Sequence, residues 1–139
     1  MSDSLVSFTE LPCIQGDLGS VWKLFSCDSP GFSGFGEAYI TSVNTLAVKG
    51  WKYHHRMVLN LIVLQGKVKF VFYTPSRSSF RETVISSEHL CRLTVPAKTI
   101  FAFQGLEEHN KILNLASIPH DRLEVKSYPL EMFNYANWD

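Results

Sequence analysis

The run Lys49-Gly50-Trp51-Lys52-Tyr53-His54-His55-Arg56-Met57-Val58-Leu59-Asn60 crowds cations and imidazoles into a segment otherwise patterned like a buried strand. Successive side chains of an extended chain point to opposite faces, so Lys52, His54 and Arg56 are expected to share one face. Removing a proton from a carbon beside a carbonyl needs a base near that carbon and a donor or cation near the developing enolate oxygen. The triplet supplies both: His54 as base, Lys52 as enolate stabiliser or proton donor, Arg56 as a clamp on phosphate. A lysine crowded by a second cation is also a base candidate. The same parity fits a solvated basic face with Trp51, Tyr53 and His55 packed inward, so residue types alone leave two readings.

The elements that would position these groups are short and extended. Apolar or alternating runs predict strands near 20–25, 37–44, 47–56, 58–65, 67–74, 81–85, 91–95, 99–104 and 111–117. Gln65-Gly66 reads as a tight turn between two of them. Residues 1–20 read as polar loop. Residues 26–36, rich in Ser, Pro and Gly, read as a surface loop that doubles as a lid. Helical periodicity is confined to one turn over 86–90 and a short closing helix over 130–137. Many short strands with turn signals between them imply an all-β sandwich or barrel with little helix, and 139 residues imply one domain, 1–139. Thirteen basic and thirteen acidic side chains cancel, which argues against nucleic acid or an anionic membrane as partner. Three cysteines at no metal or redox spacing, with no charged-then-apolar leader, point to a reduced, cytoplasmic protein. No apolar stretch reaches the ~18 residues a membrane span needs.

Gly16-Asp17-Leu18-Gly19, Lys49-Gly50-Trp51, Gly66-Lys67-Val68, Ser86-Ser87-Glu88-His89-Leu90, Val95-Pro96 and Ile118-Pro119-His120-Asp121 follow one another in an order and spacing that resembles the dTDP-4-dehydrorhamnose 3,5-epimerase family. The resemblance covers most of the chain. It implies the double-stranded β-helix jelly roll of the cupins, a homodimer, and a nucleotide-sugar substrate. It sets Lys49 against the diphosphate. It also places Lys52 where the family carries its histidine base, Leu59 at a family lysine, Phe101 at a second histidine, and Leu113 or Asn114 at the tyrosine acid. The chain is therefore similar to a divergent branch of the family.

Other polar groups gain meaning in that frame. Asn60, alone among Leu59, Leu61 and Ile62, either binds a sugar hydroxyl or pegs a neighbouring loop, since an unpaired buried amide costs about 1–3 kcal/mol. His120 is a substrate-binding candidate, with Asp121 setting the tautomer of a nearby histidine, although Pro119-His120-Asp121 also fits a cap or turn. Gln104 and Asn114 are expected to line the cavity, and His109-Asn110 to form an exposed hairpin tip. No metal and no other cofactor is expected: His54 and His55 face opposite sides of a strand, no glutamate follows them, and the later ligand position is Phe101. The resulting expectation is a sugar-nucleotide isomerase or epimerase that acts on a 4-keto-6-deoxyhexose nucleotide by metal-free proton abstraction, in surface-carbohydrate or deoxysugar biosynthesis. Its alternative is a catalytically inactive epimerase-like module that binds a nucleotide sugar or glycan.

Overall fold

In the computed structural model, which describes residues 5–139, twelve strands account for nearly all regular structure. They are β1 (Ser7–Glu10), β2 (Cys13–Gly16), β3 (Gly19–Trp22), β4 (Glu37–Asn44), β5 (Val48–His54), β6 (Leu59–Gln65), β7 (Lys67–Thr74), β8 (Ser79–Ser86), β9 (Cys91–Val95), β10 (Ile100–Gly105), β11 (His109–Ala116) and β12 (Val125–Ser127). One antiparallel sheet runs β1-β9-β6-β11-β4 and the other β12-β5-β10-β7-β8, with β2-β3 a separate hairpin. Consecutive strands alternate between the two sheets along much of the chain, which makes the jelly roll.

The strand period of two sorts side chains between layers. Val68, Phe70 and Phe72 of β7, Leu59, Leu61 and Val63 of β6, and Leu93 and Val95 of β9 meet in the core between the sheets. The intervening Val71 of β7, with Ile100 and Ala102 of β10, faces outward into a second cluster around Trp51. There the segment after β12 covers the sheet: Trp51 is fully buried, its indole N–H donates to the Leu130 carbonyl at 3.0 Å, and Phe133 and Trp138 pack against its ring.

Several expectations are corrected. The stretch taken as loop at the start holds β1 and β2, and the strand near 20–25 is the shorter β3. Gly66 does not close a hairpin; it carries the chain from one sheet to the other, with φ +84° and no room for a Cβ, which would lie 2.3 Å from the His109 carbonyl oxygen. The closing helix is one 3-10 turn, Leu130–Phe133. Only His109 of the expected hairpin tip is exposed; Asn110 is buried, and its amide ties Val43, Lys67 and Glu107 together.

Candidate active site

Between the β11–β4 edge of one sheet and the β12-β5-β10 edge of the other lies a cavity of about 290 Å³. Its floor is apolar, built from Leu59, Leu61, Phe101, Phe103 and Ile112, with Asn114 the polar exception. Lys49, Lys52 and His54 of β5 form one wall; Tyr39 and Thr41 of β4 form the facing wall; His120 and Val125 close the side.

Lys49 and Lys52 have opposite parity yet share the cavity face, because β5 is bulged. Phe101 pairs with Lys52 and Phe103 with Lys49, so three steps of β5 span two of β10. Gly50 sits inside the bulge with φ +145°, and a Cβ there would lie 2.4 Å from the Ala102 Cβ. The bulge turns Trp51 outward and both lysines inward. Among the described residues no carboxylate pairs with either lysine, so the wall presents two uncompensated cations at the open end of the cavity.

His54 lies deeper and is buried. Its Nδ1 is 2.5 Å from Glu124 Oε1, and Glu124 Oε2 accepts the backbone N–H groups of Arg56 at 3.0 Å and Met57 at 3.2 Å. Burial alone would raise the Glu124 carboxyl above its ordinary range. The hydrogen bonds from His54, Arg56 and Met57, with the charge interaction with His54, outweigh it and hold the carboxyl below 4.5. An ionised Glu124 accepts only, so Nδ1 carries a proton, and the neutral form of the ring is the tautomer with its lone pair on Nε2, the one a general base needs. The Phe101 ring stacks near the imidazole, 6.4 Å between centroids, and limits the orientations it can take.

The structure brings Lys49, Lys52, His54, Asn114 and His120 together at this cavity and keeps three other candidates out. Arg56 is a correction: β5 ends at His54, the chain bends, and the guanidinium points outward, 60% exposed, against Asp121 Oδ2 at 3.3 Å. Asn60 faces the outer surface of its sheet. Its Oδ1 accepts from Arg92 Nη1 and Thr94 Oγ1, both at 2.6 Å, and its Nδ2 donates to the Gly31 carbonyl at 3.2 Å. It is the loop peg. The loop it holds, 26–36, therefore packs on the outer face instead of serving as a lid, and Arg92 adds bonds to the Leu24 and Pro30 carbonyls. Gln104 also points outward, where its amide grips the backbone of Asp139.

Asp121 takes the turn role, accepting the Leu123 N–H at 2.9 Å. The carboxylate that orients a histidine is Glu124, three residues on, which the sequence reading missed along with Tyr39. Neither stands in a motif; each is found only once the strands are paired. Among the described residues no cluster of three His, Cys, Asp or Glu is placed to hold a metal ion.

No protein-family model matches the chain and no curated protein matches it. Solved structures do. A dTDP sugar isomerase from Desulfovibrio desulfuricans G20 is 26% identical over 96% of this chain and 90% of its own, with TM-score 0.84. The dTDP-6-deoxy-D-glucose-3,5-epimerase RmlC of Legionella pneumophila, solved with dTDP-4-keto-L-rhamnose, is 14% identical over 96% and 78%, TM-score 0.80. A histidine-to-asparagine mutant of the 3,4-ketoisomerase QdtA from Thermoanaerobacterium thermosaccharolyticum, in complex with TDP-4-keto-6-deoxyglucose, is 18% identical over 87% and 86%, TM-score 0.75. With the jelly roll and the ordered motifs, the chain is similar in fold to these dTDP-sugar isomerases and epimerases.

Proposed function

We propose that this chain is a sugar-nucleotide isomerase or epimerase that removes the proton next to the ketone of a 4-keto-6-deoxyhexose nucleotide without a metal. The observation that carries the reading is the buried His54–Glu124 pair opening onto a cavity flanked by unpaired Lys49 and Lys52. His54 Nε2 takes the carbon-bound proton, and Glu124 stabilises the imidazolium that forms. Lys52 donates to the enolate oxygen. Lys49, at the open end, meets the diphosphate. His120 lies at the rim, its backbone N–H fixed by Glu37 Oε1 at 2.8 Å, where the nucleotide leaves the cup. The neighbours support this substrate class: one is named a dTDP sugar isomerase and two were solved with a TDP or dTDP sugar.

We further infer a homodimer. The β2-β3 hairpin presents Ile14, Leu18, Val21 and Trp22 to solvent, an apolar surface that a second copy would cover. Sedimentation at micromolar concentration should give a dimer that Val21→Glu weakens.

Incubation of the protein with dTDP-4-keto-6-deoxyglucose in deuterated water tests the catalytic reading. Deuterium should enter at C3 or C5, and Lys52→Ala should slow entry by about 10²–10³-fold. Tight binding with no deuterium at either carbon would replace the enzyme with a binding module.

A further inference from the structure

Asn114 is buried in the cavity floor, and among the described residues its Oδ1 is the buried side-chain atom that finds no hydrogen-bond partner. The rest of the amide is held: Nδ2 donates to Tyr39 Oη at 2.9 Å, across the β11–β4 pair in which the two residues are registered partners. Leu61 is its partner on the other side, and Ile112 precedes it on the same face. An orphaned amide oxygen set in an otherwise apolar floor is costly unless a guest supplies a donor. It lies on the sheet that faces His54, so a sugar ring between the walls is approached by His54 from one side and by Asn114 from the other.

We propose that Asn114 is a specificity-determining residue: its Oδ1, aimed by Tyr39, accepts a hydrogen bond from the 2- or 3-hydroxyl of the sugar ring and so selects substrates that carry it. The proposal rests on the nucleotide-sugar reading of the cavity. Tyr39 is a positioning residue in this scheme, holding one end of the amide so that the other is left to the guest. A site built around a buried acceptor rejects a guest lacking the donor far more strongly than an apolar pocket rejects a missing methylene.

The test compares dTDP-4-keto-6-deoxyglucose with its 2-deoxy and 3-deoxy analogues, by calorimetric dissociation constant and, where exchange occurs, by kcat/KM for deuterium entry. The wild-type protein should discriminate against one of the two analogues by about tenfold to hundredfold. Asn114→Leu, which matches the apolar floor, should bring that ratio to near unity. Tyr39→Phe, on a half-exposed edge strand, should lower the ratio while leaving the melting temperature unchanged, and it stands in if the leucine variant does not fold. Equal treatment of all three compounds by the wild type, or a ratio that survives both substitutions, overturns the proposal. Discrimination in binding without exchange would refute the isomerase reading and leave Asn114 as the selector; exchange without discrimination would do the reverse.

Discussion

Replacing Glu124 with glutamine changes one atom and should disable the base. Glu124 Oε2 accepts two backbone N–H groups, from Arg56 and Met57, while Oε1 faces His54 Nδ1 at 2.5 Å. Those two N–H groups need an acceptor, so the glutamine oxygen stays with them and its NH₂ is forced toward the imidazole. Nδ1 must then accept, which moves the ring proton to Nε2 and removes the lone pair from the cavity side. The imidazolium also loses its carboxylate partner. A positioned general base contributes about 10²–10⁴-fold, and misplacing its tautomer forfeits that factor. We expect deuterium entry into a 4-keto-6-deoxyhexose nucleotide to fall by about 10³-fold, with the dissociation constant within threefold and the melting temperature lowered by only a few degrees, since both backbone hydrogen bonds persist and the third is reversed and loses only its charge. Glu124→Ala should instead destabilise by about 2–5 kcal/mol, because two N–H groups, Met57's buried and Arg56's part-buried, lose their acceptor. The assay is single-turnover exchange followed by mass spectrometry. An E124Q variant that exchanges within threefold of wild type would refute the orienting role.

Other predictions follow from the same geometry. Because the Glu124 carboxyl is held below its unfolded value near 4.5, its stabilisation is full above that pH and lost as pH falls through the lower folded value; urea melts from pH 6 to pH 3 should show this slope in wild type and lack it in Glu124→Gln. Gly50→Ala should cost about 2–5 kcal/mol and disturb exchange, since the new Cβ meets Ala102 and the φ is unfavourable to any side chain. Asn60→Ala should lower stability by about 1–3 kcal/mol, by stranding Arg92 and Thr94, while exchange in the folded fraction stays at wild-type rate.

The architecture was legible because strand period and turn residues carry it: β4 to β11 fall close to the alternating runs, and the ordered motifs named the jelly roll. The site was half legible. Lys52 and His54 share a face as their spacing required, and Lys49 joins them through a bulge that no single-sequence pattern encodes. The same parity argument put Arg56 on that face and fails there, since the strand stops two residues earlier. Asn60 and Gln104 were polar groups in apolar runs, and their faces depend on register with partner strands. Glu124 is 70 residues from His54; only the pairing of β12 with β5 brings the two together.

The central claim is that His54 removes a carbon-bound proton inside this cup. It is tested most directly by His54→Asn, measured for deuterium entry and for dTDP-sugar binding in the same preparation. The account predicts exchange lost by about 10³-fold or more with binding retained; exchange at the wild-type rate would contradict it.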